Sequence, residues 1–150
     1  PDALELSTVG ATQGAQEMDY EKLISEHPEY FLFNGAVGSL TRTHPLRARA
    51  GDTVRIYFGV GGPNFTSSFH VIGEIFDHVY QGASLMSPIA GVQTVSVPPG
   101  GATVVDFRID RAGRYVLVDH ALSRLEHGLV GFLIVDGPKN DAIMHQGPAK

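Results

Sequence analysis

The chain has 150 residues, a formal net charge of −5 and no cysteine. The length fits a single domain, and the missing cysteines exclude disulfides, thiolate zinc sites, cysteine nucleophiles and cysteine-ligated type 1 copper. The negative charge argues against a nucleic-acid partner, which needs a basic face. No apolar run approaches the length of a membrane span, and the first residues, PDALELST, lack the pattern of a secretion signal.

Residues 1–28 are predicted to form a linker or arm that carries one short helix. Residues 1–17 are mostly small and polar, as linkers commonly are. The sequence MDYEKLISEHPEY then predicts a helix over about residues 19–26, with Asp19 as its N-terminal cap and Pro28 beyond its end.

Short strands are predicted along most of the remaining chain, because apolar or alternating runs are separated by Gly, Pro and Asp turns. The predicted strand segments are residues 30–35, 46–60 with a hairpin or corner at 50–52, 67–80, 92–109 with a turn at 98–101, 113–120 and 128–137. One or two helical turns are predicted between the last two segments. Residues 138–150 are predicted to be a C-terminal arm.

About seven short strands without strand–helix–strand alternation predict an all-β fold. The expected architecture is an antiparallel β-sandwich with Greek-key connections, formed by one domain over residues 29–137. Arms of this length commonly pack on another domain or subunit, so a larger assembly is expected.

Metal chemistry in a chain without cysteine depends on histidines and carboxylates, and this chain has seven histidines. Some of them stand in contexts that predict exposed or structural side chains: His27, His44, His78, His127 and His145. The remaining candidates for a functional site are His70 and His120, each on a predicted strand.

His70 lies in the strand pattern SSFHVIGEIFD, where it shares a face with Ser68 and Ile72 while Phe69 points to the other side. A histidine among apolar neighbours is most often a structural residue. An imidazole also titrates near neutral pH and can deliver a proton, so a catalytic role for His70 is the alternative.

His120 ends a strand immediately before a loop, where binding sites are commonly built. The neighbouring Asp119 is expected to point to the opposite face. The chain has no H-x-H or H-E-x-x-H spacing, and three converging histidines, which a catalytic copper or zinc centre needs, are not evident. The sequence therefore predicts a partial metal site that other groups complete.

Several extended strings carry a resemblance to a known family: EHPEYFLFNGAVGSLT, GVGGPNFTSSFHVIGEIFDHVY, VQTVSVPPGGATVVDFRID and GRYVLVDHALSRLEHGLVGFLIVDG. Over about residues 18–137 the chain resembles the second cupredoxin domain of copper-containing nitrite reductases. Val118 and Asp119 stand where a type 1 copper relative has His and Cys, and Leu129 or Val130 where it has Met. The resemblance therefore implies a cupredoxin-like domain without type 1 copper.

The resemblance implies part of a denitrification enzyme that reduces nitrite to nitric oxide, in the periplasm or at the exterior of the cell envelope. Such enzymes are homotrimers of a two-domain chain that takes electrons from a cupredoxin or a cytochrome c. The first domain carries the type 1 copper, and a type 2 copper lies between subunits. That first domain is the missing partner here, and the segment TQGAQEMDYEKLISEHPEY is similar to the family's interdomain segment, which favours part of a longer protein.

The same resemblance implies roles for individual residues. His120 matches the type 2 copper ligand that the second domain gives to a neighbouring subunit. His70 matches the active-site histidine that helps to protonate nitrite, and Ile72 matches the apolar residue that crowds the substrate. Thr94 falls where a residue that supports the active-site histidine is expected.

Other interpretations stay open from the sequence. A copper-free domain of this fold would serve as an assembly or docking module without catalysis, with His70 and His120 as relics. A fragment of a laccase-like multicopper oxidase is disfavoured, because those proteins keep His-Cys-His where this chain has Val118, Asp119 and His120. A cupin-type enzyme is less consistent still, for want of H-x-H.

Overall fold

The computed structural model describes residues 6–7 and 17–138, and β-strands are their main regular structure. The strands are β1 (Leu6–Ser7), β2 (Glu17–Met18), β3 (Leu46–Arg49), β4 (Thr53–Gly59), β5 (Ser67–Ile72), β6 (Phe76–Gln81), β7 (Ile89–Val92), β8 (Thr94–Val97), β9 (Ala102–Arg108), β10 (Gly113–Asp119) and β11 (Val130–Asp136). The helical elements are α1 (Tyr20–Ser25), a π-helical turn (Ser39–Thr43) and α2 (Ser123–Glu126).

Two sheets form a sandwich. One has five strands in the order β3-β11-β10-β5-β8, and the other has four in the order β4-β9-β6-β7. All pairs within these sheets are antiparallel except β3–β11, which is parallel. Most connections cross from one sheet to the other, as in Greek-key sandwiches. The all-β sandwich predicted from the strand pattern is confirmed.

The core lies between the sheets and is built from the inward-facing side chains of both. Phe69 of β5 is fully buried, and its ring centroid lies 4.1 Å from that of Phe58 in β4 and 6.0 Å from that of Phe76 in β6. These stacked rings join the two sheets, because β4 and β6 belong to the sheet opposite β5. Burial of each aromatic side chain contributes roughly 1.5–3 kcal/mol.

The helix predicted near the N-terminus is confirmed as α1. The carboxylate of Asp19 caps it by accepting backbone N–H bonds from Glu21 at 3.0 Å and Lys22 at 3.2 Å. Glu26 follows in the left-handed conformation, with φ of 57°, and ends the helix before Pro28. Within the predicted arm, the two-residue strands β1 and β2 pair with each other. The predicted C-terminal arm lies outside the described residues apart from its first residue.

Residues 30–35 do not form the predicted strand. Residues 31–33 are buried, but the segment makes only an isolated bridge at Leu32. Asn34 and Gly35 then turn the chain in left-handed conformations, with φ of 51° and 79°. An apolar run of this length indicates burial, yet it does not distinguish a sheet strand from an irregular buried segment.

Long predicted strand segments are divided where the chain changes sheets. The segment 46–60 becomes β3 and β4, and the segment 67–80 becomes β5 and β6, with a break at Gly73, whose φ is 97°. The predicted turn at 98–101 connects β8 to β9 in the other sheet, and residues 123–126 form the short helix α2. The sequence pattern predicts neither β7 nor the π-helical turn.

Candidate functional site

His70 lies on the outer face of the five-stranded sheet. Its neighbours Phe69 and Val71 point into the core and are fully buried, whereas His70 is half-buried and Ile72 is 47% exposed. Successive side chains of a strand point to opposite faces, so His70 shares the outer face with Ser68 and Ile72, as predicted.

His120 follows the last residue of β10 and lies beside His70. The register of β10 on β5 sets Val118 opposite His70, and the backbone N–H of His120 donates to the carbonyl of Ser68 at 2.8 Å. The imidazole centroids of His70 and His120 are 5.5 Å apart, with an interplanar angle of 51°. The fold thus brings the two candidate histidines together at the end of β10.

The orientation of the His70 ring is fixed by the backbone. Nδ1 of His70 lies 2.7 Å from the carbonyl oxygen of Gln93. A carbonyl oxygen only accepts, so Nδ1 carries the hydrogen and Nε2 is the nitrogen free to gain or lose a proton. A side-chain pattern does not reveal this contact, because the partner of His70 is a main-chain group.

The two other predicted site residues lie on the same face. Thr94 of β8 stands directly opposite His70 in the strand register, and its Oγ1 is 3.5 Å from Nδ1 of His70, a long contact for a hydrogen bond. Ile72 lies two positions along β5 from His70 and pairs with Val116 of β10. Both side chains are exposed, so they are accessible to a substrate or a partner.

Asp119 points inward, as predicted, but it contacts the loop that carries His120. Its side chain is 1% exposed. Oδ1 accepts the backbone N–H groups of Ser68 at 3.2 Å and Ala121 at 2.9 Å. Oδ2 accepts from Nη1 of Arg124 at 2.6 Å. No sequence motif marks Arg124, which lies within α2, as part of a site.

The other histidines of the described residues stand apart from this pair. His27, His44, His78 and His127 are exposed, as the sequence predicts. The ring of His127 packs on the edge of Phe31, with centroids 6.3 Å apart. His145 lies outside the described residues.

An ion pair joins two strands of the other sheet, which does not carry the histidine pair. Arg55 of β4 makes two contacts of 2.7 Å with the carboxylate of Asp106 in β9. The hydrogen bonds from Arg55 hold the pKa of Asp106 below its ordinary value, although burial opposes that shift. Near the end of β5, burial raises the pKa of Glu74, and the neighbouring Asp110 and Asp77 carboxylates raise it further.

The imidazoles of this site have the chemistry of copper ligands. His120 offers an exposed imidazole, a nitrogen ligand that copper accepts. Residues 6–7 and 17–138 contain no group of three or more His, Cys, Asp or Glu side chains placed to hold a metal. A catalytic mononuclear site commonly has three protein ligands.

Among the described residues, no helix has the length and apolar character needed to cross a membrane.

The sequence profile of one family, described as multicopper oxidase, matches residues 11–139. The chain belongs to the multicopper oxidase family. Within this family, the copper-containing nitrite reductase of Neisseria gonorrhoeae is 50% identical over 136 residues, which cover 89% of this chain and 34% of that protein. The copper-containing nitrite reductase of Cereibacter sphaeroides is 32% identical over 121 residues, 79% of this chain and 32% of that protein. The chain thus spans about a third of the length of the curated relatives it matches.

Solved structures agree with these sequence relatives. The copper-containing nitrite reductase of Thermus scotoductus superposes with a TM-score of 0.73 at 32% identity, covering 77% of this chain and 27% of that one. The copper nitrite reductase of Nitrosomonas europaea gives 0.74 at 26% identity, covering 81% and 45%. The predicted cupredoxin-like fold and the predicted resemblance to a second cupredoxin domain of copper-containing nitrite reductases are confirmed.

Proposed function

We propose that this chain is the part of a copper nitrite reductase that gives one ligand, His120, to a type 2 copper shared with another domain or subunit. In the same proposal His70 delivers protons to nitrite. The observation that carries it is the meeting of the two imidazoles, 5.5 Å apart, on an outer face of the sandwich. The 50% identity to a copper-containing nitrite reductase supports this reading of the pair.

The reaction is the conversion of nitrite, one electron and two protons into nitric oxide and water. Copper bound at the shared site would supply Lewis acidity and the electron. His120 suits the ligand role because its ring is exposed at the end of β10, where ligands from a neighbouring chain can reach the same ion. Its backbone is fixed by the bond to Ser68.

His70 suits proton delivery because of the way its ring is held. Nδ1 is occupied by the Gln93 carbonyl, so Nε2 is the atom that transfers protons. The ring is half-buried, which limits its motion while leaving it open to the reacting group. Each proton that Nε2 gives to a nitrite oxygen is replaced from solvent, and the released oxygen leaves as water.

Ile72 and Thr94 have supporting roles in this proposal. Ile72 presents an exposed apolar side chain on the face that carries His70, where it would limit the orientations of bound nitrite and exclude water. Thr94 adds a hydroxyl near Nδ1 of His70 and would assist the Gln93 carbonyl in holding the ring.

The proposal includes partners that complete the site. A type 1 copper cupredoxin domain would supply the other copper ligands and would pass on electrons from a cupredoxin or a cytochrome c. A homotrimer would place that domain of one subunit against His120 of the next, in the periplasm or at the exterior of the cell envelope. The shortage of metal ligands among the described residues supports such a shared site.

The substitution His120→Ala in the assembled enzyme tests the proposal. We expect the type 2 copper signal in electron paramagnetic resonance to disappear together with nitrite turnover, while the type 1 signal persists. His78→Ala is the matched control, because His78 is also exposed but lies on the other sheet. Retention of type 2 copper and of turnover in His120→Ala would instead favour the copper-free docking module.

A further inference from the structure

The loop after β10 rests on a buried carboxylate. Asp119 is 1% exposed, and a charged group at that depth is stable only when it is paired and hydrogen-bonded. Its oxygens accept the backbone N–H groups of Ser68 and Ala121 as well as the guanidinium of Arg124. His120 lies between Asp119 and Ala121, so this carboxylate holds the backbone that follows the candidate ligand and ties it to Ser68 of β5.

Arg124 is held by hydrogen bonds and by contacts with two aromatic rings. Its Nη1 donates to Oδ2 of Asp119 at 2.6 Å and to the carbonyl of Thr66 at 2.8 Å. The guanidinium lies over the rings of Phe31 and Phe65, at 5.5 Å and 5.1 Å from their centroids. The side chain is 18% exposed. These contacts hold the guanidinium on two sides, next to the carboxylate of Asp119.

We propose that Arg124 is a positioning residue that holds His120 in place through Asp119. The sequence of contacts is short: Arg124 to Asp119, Asp119 to the Ala121 and Ser68 amides, and Ser68 to the His120 backbone. Without the guanidinium the buried carboxylate loses its counter-charge and moves toward solvent. The loop then loses its anchor, and the His120 ring leaves its place beside His70. As a statement about copper, the inference rests on the proposed function, whereas the placement of His120 does not.

Hydrogen exchange in the protein as isolated tests the placement. In Arg124→Met we expect the amides of His120 and Ala121 to exchange faster by about tenfold or more, because the charge-assisted bonds at Asp119 are lost. Arg55→Met is the matched control, since it makes the same substitution in an Arg–Asp pair on the other sheet. It should leave exchange at His120 unchanged. Unchanged exchange in Arg124→Met overturns the proposal.

Copper affinity in the assembled enzyme supplies the second readout. Substitution of a group that orients a metal ligand commonly weakens metal binding by about 10- to 100-fold, and we expect Arg124→Met to weaken the type 2 site by that factor while type 1 copper is unaffected. Arg124→Lys keeps the positive charge but not the planar guanidinium, so it should recover part of the affinity for type 2 copper. It also replaces Arg124→Met in both measurements if that variant does not fold.

The two proposals fail in different ways. If His120→Ala removes the type 2 copper but Arg124→Met leaves its affinity unchanged, Arg124 is not a positioning residue for the ligand. If His120→Ala leaves the copper in place, the proposed function is wrong, and amide exchange alone then decides whether Arg124 holds His120.

Discussion

The backbone carbonyl oxygen of Gln93 accepts a hydrogen bond from Nδ1 of His70 at 2.7 Å. Because Nδ1 is engaged, every proton that His70 gives or takes passes through Nε2. The acceptor is a main-chain group, so replacement of the Gln93 side chain leaves it in place. Proton delivery is therefore tested best by substitution of His70 itself.

His70→Gln removes the titratable ring while it keeps a polar side chain of similar length. We expect the nitrite turnover of the assembled enzyme to fall by roughly 100-fold or more, the usual contribution of a positioned acid–base group. Type 2 copper content should stay unchanged, because His70 is not the ligand in this proposal. Nitric oxide release between about pH 5 and 8, where an imidazole changes charge, measures the loss.

The control for this experiment is His78→Gln, an exposed histidine on the other sheet. It should match the unchanged protein in rate and in pH profile. Loss of copper from His70→Gln would reassign His70 to the metal, and an unaltered rate would show that protons reach nitrite by another route.

Thr94→Val tests how much the hydroxyl near His70 contributes. Valine has the same shape, and the shorter hydrogen bond that Nδ1 of His70 donates to the Gln93 carbonyl at 2.7 Å remains, whereas the Thr94 hydroxyl lies 3.5 Å from that nitrogen. We therefore expect turnover to fall by less than about tenfold, since one neutral hydrogen bond commonly contributes about 1 kcal/mol. Steady-state kinetics of the assembled enzyme measure it. A loss as large as that of His70→Gln would mean that Thr94, not Gln93, holds the ring.

The sequence predicts the site to the extent that its geometry depends on strand periodicity. The alternation of Phe69, His70 and Val71 places the histidine on the outer face, and the buried and exposed side chains follow that alternation. The strand pattern of residues 113–120 likewise places His120 at the end of a strand, next to a loop. That β5 and β10 are neighbours does not follow from periodicity, and only the family resemblance brings His70 and His120 into one site before the fold is known.

Contacts that join distant segments through the main chain or through buried charge are not predicted. Arg124 lies in α2, and its guanidinium donates to the carboxylate of Asp119 and to the carbonyl of Thr66. No spacing rule in the sequence indicates these contacts. Residues 30–35 show the converse limit: the apolar residues 31–33 are buried, but no strand forms before the left-handed turn at Asn34 and Gly35. Local pattern thus determines which face a side chain occupies, while tertiary topology determines its partner.

Ile72→Ala separates the role of the apolar side chain from stability. Ile72 is 47% exposed, so we expect its truncation to change the free energy of unfolding by no more than about 1 kcal/mol. Val71→Ala removes fewer atoms from the adjacent position, yet Val71 is fully buried, and its loss should cost about 1–3 kcal/mol. Chemical denaturation of both variants measures the contrast.

In the assembled enzyme we expect the opposite order for nitrite kinetics: the larger effect comes from Ile72→Ala and the smaller from Val71→Ala. Ile72→Ala should change turnover or the Michaelis constant for nitrite, because the site loses its apolar wall, and Val71→Ala should change neither once folded. Equal kinetics for Ile72→Ala and the unchanged protein would assign Ile72 to a protein interface instead of the substrate.

Asp106→Asn tests the ion pair of the four-stranded sheet through its pH dependence. Hydrogen bonds from Arg55 lower the pKa of Asp106 in the folded state relative to the unfolded chain. The ion pair therefore stabilises the fold above the ordinary aspartate pKa of about 4, and that contribution is lost as the pH falls through the lower, folded-state pKa. The variant should melt below the unchanged protein at pH 7, and the gap should close in acid, as the pH falls through the lowered pKa of Asp106.

The size of this gap is limited by solvent, because the side chain of Arg55 is 45% exposed. We expect about 1–3 °C at pH 7 by calorimetry, since exposed ion pairs contribute little. Asp136→Asn is the matched control: its carboxylate lies 3.9 Å from Arg47, both side chains are about two-thirds exposed, and no gap is expected at either pH. A gap for Asp106→Asn that persists unchanged in acid would show that the residue stabilises the sheet through packing and neutral hydrogen bonds, not through its charge.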